Sequence, residues 1–132
     1  NKLEIYDKDN NLLALKLCIN SQQNPKEFHT SDEQSFQVGT FNLTSGEKLE
    51  RHVHLYNERL VTTTSEVIIV NKGEILVEIY DKNKLFVGEQ KISAGELILF
   101  LEGGHSFEIL EDATFIEIKQ GPYLEGLDKE KF

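Results

Sequence analysis

Two histidines one residue apart, His52 and His54, close the segment Gly46-Glu-Lys-Leu-Glu-Arg-His52-Val-His54. In an extended strand alternate side chains share a face, so the two imidazoles project together, about 7 Å apart along the backbone, and can converge on one ion. Glu66 opens the apolar run Val67-Ile-Ile-Val70, and His105 begins another. Three strands can then each bring a metal-type ligand to one interior. Imidazole with carboxylate suits Zn, Fe, Mn, Ni or Cu, and such a set leaves positions open for water or substrate.

Other residues near this constellation also bear on chemistry. The chain has two arginines, Arg51 and Arg59, and both flank the paired histidines. Arginine grips carboxylate or phosphate with a planar fork, so Arg59, in the stretch Leu55 to Ser65 that can curl over a cavity entrance, is a candidate for binding an anionic ligand; a surface ion pair is the plainer alternative. Arg51 has the opposite strand parity to the histidines and is expected to point away. Tyr56 shares their parity if the strand continues, as a proton donor, a hydrogen-bond partner or a packing residue. His29 lies in a polar stretch and reads as solvated, and the single Cys18 reads as a half-buried thiol. The sequence holds no nucleophile elbow, phosphate loop or cysteine metal cluster, so acyl transfer, nucleotide hydrolysis and zinc-finger roles lack support.

The elements that must position these residues are short and rich in branched side chains. Apolar runs fall at Leu3 to Tyr6, Leu12 to Ile19, Phe36 to Leu43, Leu49 to Leu55, Val67 to Val70, Ile75 to Tyr80, Lys84 to Val87, Leu97 to Leu101, His105 to Leu110 and Thr114 to Ile118. Turn-forming clusters separate them, among them Asn71-Lys-Gly73 and Glu102-Gly-Gly104, which is the rhythm of an all-β sandwich or barrel. Ile75, Val77 and Ile79 alternate with polar positions, so one sheet face is buried and the other wet. On the same parity His105 shares a face with Phe107 and Ile109. Asn20 to Gln34 reads as a loop with at most one helical turn, and the charged tail from Gly121 to Phe132 as a short terminal helix or a strap.

At these residues the sequence resembles the cupin superfamily. That family's first motif, G-x5-H-x-H-x(3 or 4)-E-x6-G, is matched by Gly46, His52 and His54 in its first half and by Glu66 and Gly73 in its second, with eleven residues between His54 and Glu66 implying a longer connection. Glu58 sits at the family's shorter distance, but Ser65 then stands where glycine is expected, so Glu66 is favoured as the motif glutamate and Glu58 competes. The second motif, G-x5-P-x-G-x2-H-x3-N, is matched by Gly95 and Gly103. Leu101 stands where proline is usual, His105 arrives one residue early, and the asparagine is absent. The resemblance spans about residues 40–119. It implies a double-stranded β-helix, or jelly-roll barrel, with a divalent transition ion held by His52, His54, Glu66 and His105, and chemistry of the dioxygenase, isomerase or lyase kind.

The bulk properties narrow the partners. At 132 residues the chain is expected to be one domain, 1–132, able to bury roughly two thirds of its unfolded surface. With 23 acidic and 14 basic residues its formal charge is -9, which disfavours phosphate backbones and anionic lipid. No apolar run reaches the roughly 18 residues that suggest a membrane span, and the first residues lack a signal-peptide profile, so a cytoplasmic protein is expected. The amino-terminal runs lie outside the motif core and can add strands to a neighbour's sheet edge, which predicts a homodimer. Three readings follow: a metal-dependent enzyme on a small polar or anionic metabolite, a non-catalytic sugar- or metabolite-binding module, and a metal-free isomerase or epimerase of the sugar-nucleotide kind.

Overall fold

Runs of Val, Ile, Leu and Phe without helical period fold as strands wherever a neighbouring strand can complete their ladders. The computed structural model describes residues 2–132. Its strands are β1 (Lys2–Tyr6), β2 (Leu12–Cys18), β3 (Lys26–Phe28), β4 (Gly39–Phe41), β5 (Glu66–Tyr80), β6 (Phe86–Ser93), β7 (Glu96–Phe100) and β8 (Gly104–Lys119), and a single 3₁₀ turn lies at Ile19–Ser21. The expected all-β class holds. No helix among the described residues is long and apolar enough to cross a membrane.

Six strands form one antiparallel sheet in the order β1-β2-β7-β5-β6, with β8 on β5, while β3 and β4 form a separate two-stranded ladder. β5 is shared between two neighbours on one edge. Its first part pairs with β7 from Glu66 opposite Phe100 to Ile69 opposite Leu97, and its second part pairs with β6 from Glu74 opposite Ser93 onward. On its other edge β8 follows it from Glu66 opposite Lys119 to Tyr80 opposite Gly104. Among the described residues the sheets do not close into a barrel, and β8 pairs with β5 alone.

A bend in β5 makes the interior. Its register against β8 shifts between Val70 and Lys72, again before Glu74 and again before Ile75. Such bulges add an unpaired residue and flip the inward parity. Ile68 and Val70 before the bend and Ile75, Val77 and Ile79 after it therefore share one core with Leu13, Ile92, Ile98 and Phe100. On the other side of the first part, Leu15, Leu17, Val67, Leu97 and Leu99 form a second core, covered in part by Phe36 and Val38. β2, β7 and the start of β5 are thus buried on both faces, which explains their near-continuous apolar runs. Each fully buried aliphatic side chain contributes about 1.5–3 kcal/mol of burial free energy.

The two glycines that bound this framework have no room for a side chain. Gly73 (φ 82°) lies where a Cβ would stand 2.2 Å from the Asp112 carbonyl oxygen, and Gly103 (φ 83°) where it would stand 2.3 Å from that of Tyr80. Both therefore combine a left-handed backbone with a close approach to another strand.

Several segments depart from the sequence expectations. Asn71-Lys-Gly73 is no hairpin turn but the bend within one continuous 15-residue strand, and β8 likewise joins two expected runs into 16 residues. Ladder pairing along the whole length of both strands outweighs the local turn signal. The strand expected near Lys84 to Val87 begins at Phe86 and runs to Ser93, and β3 appears inside the expected loop. No terminal helix forms in the tail, which instead lays Phe132 edge-on against Tyr80. Most consequential, residues 42–65 contain no strand, so Leu49 to Leu55 is not extended in a sheet. Its alternation can bury one face only against a partner strand, and none pairs with it here. The amino-terminal runs form β1 and β2 of the chain's own sheet, with β1 at its edge.

Gly103→Ala should lower stability by roughly 1–3 kcal/mol or more. Gly88→Ala, where a Cβ meets nothing within 4 Å, should be close to neutral. Urea unfolding followed by circular dichroism measures both, and equal midpoints for the two variants would show that the Gly103 approach is not tight.

Candidate functional site

Glu66 is the first residue of β5, flanked across the ladders by Phe100 and Lys119. Its parity is that of Ile68 and Val70, so the carboxylate turns into the first core, where the residue is only 6% exposed. His105 is the second residue of β8 and shares the inward parity of Phe107. The two side chains meet: His105 Nε2 lies 2.6 Å from Glu66 Oε1. That separation is an ion-pair contact, yet the ring N–H does not aim along it, so Oε1 is buried without an aligned hydrogen-bond donor. The imidazole also stacks flat on Phe100, with centroids 4.1 Å apart and an interplanar angle of 16°, and Phe107 lies beside both rings, 5.2 Å from His105 and 6.0 Å from Phe100. Stacking on Phe100 and the edge contact with Phe107 orient the ring, and the carboxylate favours a proton on Nε2.

A third group completes the cluster. Glu117 of β8 stands opposite Ile68 and so shares the inward parity. Burial acts to raise the Glu66 carboxyl, but contact with the His105 ring, a hydrogen bond from Glu117 and the charge of Lys119 outweigh it, and the net direction is down from 4.5. Glu117 moves the opposite way: its hydrogen bond to Glu66, partial desolvation and the charge of Glu66 raise it. The two carboxyl groups are therefore shifted apart, Glu66 down and Glu117 up. Lys119, beside them, is held by Asp128 at 3.3 Å. A carboxylate, an oriented imidazole and a second carboxyl group in one cluster can exchange protons with a bound molecule, and the first two can ligate an ion.

The remaining expected site residues lie elsewhere. His52 and His54 are exposed in the irregular segment, their rings edge to face at 5.4 Å, and His52 Nδ1 lies 2.8 Å from the Glu50 carbonyl oxygen. The two imidazoles are neighbours, as the spacing predicts. They are not joined to Glu66 and His105, and among the described residues no three His, Cys, Asp or Glu side chains are grouped so as to hold a metal ion. Tyr56 is 87% exposed and donates to Glu58 at 3.2 Å, so Glu58 is satisfied locally by the phenol. Arg59 is exposed on the same segment. His29, expected in solvent, is half-buried: its Nε2 lies 2.8 Å from Thr40 Oγ1, its Nδ1 is buried without a partner, and desolvation lowers its pKa. The surface clefts beside His29 include neither Glu66 nor His105.

Sequence reasoning missed Glu117 and Phe100. Glu117 had a signal, being the one acidic residue inside the apolar run Thr114 to Ile118. Phe100 had none beyond its place in a core strand. Compared with protein-family models, with curated proteins and with solved structures, the chain matches none.

The raised Glu117 carboxyl predicts a pH signature. A carboxyl whose folded pKa is raised costs stability as pH climbs above its ordinary value, 4.5, because the unfolded chain then releases the proton more readily. Glu117→Gln keeps the donor to Glu66 without that cost. The variant should melt higher than the parent at pH 7, with the gain shrinking toward pH 4, as followed by thermal unfolding across pH. A gain independent of pH would mean that the Glu117 carboxyl is not raised.

Proposed function

We propose that this chain is a small cupin-like protein that closes as a jelly roll, holds a divalent transition ion, and acts as an enzyme on a small polar or anionic metabolite. The observation that carries the reading is the convergence of Glu66 and His105, from distant parts of the sequence, on one interior point where Oε1 is buried without an aligned donor. An inward carboxylate with spare acceptor capacity beside an oriented imidazole suits a cation. Parted from their present 2.6 Å contact, these two donors would hold such an ion, and His52 and His54 seated beside them would complete the set. When bound, an ion of this kind polarises a carbonyl or activates water or dioxygen.

The chain's own groups define the rest. Phe100 covers one face of the His105 ring and Phe107 its edge. Glu117, whose carboxyl is raised by its contact with Glu66, stands next to the pair. Arg59 and Tyr56 travel with the histidine segment, so seating it brings a bidentate anion grip and a phenol to the entrance. Support for closure comes from β8, where Ile109 and Phe115 have inward parity yet are 52% and 39% exposed. One more strand on that edge would cover them.

The same pair supports a second reading. A carboxylate-oriented imidazole with a second carboxyl group nearby is also the equipment of a metal-free isomerase or epimerase, in which His105 takes a proton from carbon. Turnover that persists in chelator would favour it.

Glu66→Gln removes the anionic donor at nearly constant volume and should weaken zinc or manganese binding by at least the roughly 10–100-fold that loss of an outer-shell partner costs. Glu58→Gln should stay within a few-fold of the parent. Competition titration with a chromophoric chelator measures both, and the reverse order would move the carboxylate ligand to Glu58.

A further inference from the structure

Two features of the chain lack partners. Residues 41–60 are exposed throughout, with Leu49, Val53, Leu55 and Leu60 each at 65–90%. Phe41 and Asn42 anchor the arm to β3 and its approach, and beyond them its hydrogen bonds stay within the arm itself. The free edge of β8 is the other, a long row of backbone donors and acceptors next to half-exposed Ile109 and Leu110. A long apolar edge is unstable toward pairing with another strand. The arm has a strand's alternation, with His52 and His54 on one side and Arg51, Val53 and Leu55 on the other. The complement is on one face. The arm as a whole is balanced, with Glu47, Glu50 and Glu58 against Lys48, Arg51 and Arg59, but from Leu49 to Leu55 the side that carries Val53 has Arg51 as its one charge, and β8 carries Glu108 on the corresponding side.

We propose that residues Leu49 to Tyr56 of one copy add as a strand to the β8 edge of a second copy, so that each pocket is built from Glu66 and His105 of one chain and His52 and His54 of the other. A two-fold pair satisfies both orphan features at once, since each chain gives an arm and receives one. With the histidines facing inward, His52 and His54 lie on the side of His105 and Phe107, while Arg51, Val53 and Leu55 lie on the side of Glu108 and Leu110. Charge meets charge and apolar meets apolar on the outer face. The assignment of His52 and His54 to the pocket rests on the proposed function; the strand exchange itself rests on the edge and the arm.

The test uses full-length chains with Cys18→Ser. One bears Val53→Cys, and a second, differently tagged, bears Ser106→Cys, Glu108→Cys or Leu110→Cys in turn. The two are mixed, unfolded, refolded together and treated with a short bis-maleimide. Strand exchange predicts a covalent product containing both tags for at least one of the three positions, and a dimer by sedimentation velocity for the unlabelled parent. A chain carrying both cysteines that yields only an intrachain link shows the arm on its own edge and overturns the exchange, as does the absence of any link. Zinc titration separates the two readings. A His52→Ala/His54→Ala chain and a Glu66→Gln/His105→Ala chain should each lose tight zinc binding, and co-refolding should restore up to half of the parent's capacity. Cross-linking without that recovery leaves the exchange standing and removes the histidines from the pocket; recovery requires both.

Discussion

The architecture depends on the pairing of β5 with β8 along nearly the full length of both strands. Neither half of β5 would hold its place alone, because its other edge changes partner from β7 to β6 at the bend. Continuous pairing with β8 carries the strand across that change. The bulges around Asn71 to Gly73 then do what a turn was expected to do: they redirect the backbone and reverse which side chains face inward. Because Ile68 and Ile79 consequently share one core, residues from opposite ends of β5 and β8 can face a common interior.

That geometry accounts for the pocket. Glu66 begins β5 and His105 begins β8, positions at opposite ends of the antiparallel pair, yet the folded sheet brings their side chains into contact. Burying a carboxylate is costly unless other groups compensate. Here the compensation is the His105 imidazole, a hydrogen bond with Glu117 and the nearby charge of Lys119. The close polar neighbour of Glu66 Oε1 is the His105 ring.

Much of this was legible in the residues. The double-sided burial of β2 and β7 is written in Leu12 to Leu17 and Leu97 to Leu101, whose apolar positions are nearly uninterrupted. The inward parity of His105 could be read from Phe107, and the inward turn of Glu66 from the strand that it opens. The bend could not be read, since Asn71-Lys-Gly73 has the composition of a turn and only the long partner strand decides otherwise. Nor could Leu49 to Leu55: alternation states which faces a strand would have, whereas a ladder needs a neighbour that no local pattern supplies. Glu117 was overlooked because its role arises from pairing opposite Ile68, a relation between residues far apart in sequence.

The order of strands has a kinetic consequence. The centre of the sheet joins β2 to β7, placing Leu15 opposite Leu99, so neither core is complete until the chain has closed a loop spanning most of its length. Such non-local topology slows folding by comparison with local hairpins, because loop entropy is lost before the contacts reward it. Until β7 arrives, the two-faced apolar strand β2 has water on both sides. A chain emerging from synthesis therefore passes through a stage in which Leu13, Leu15 and Leu17 are unshielded, and its yield should depend on how quickly the carboxy-terminal half follows.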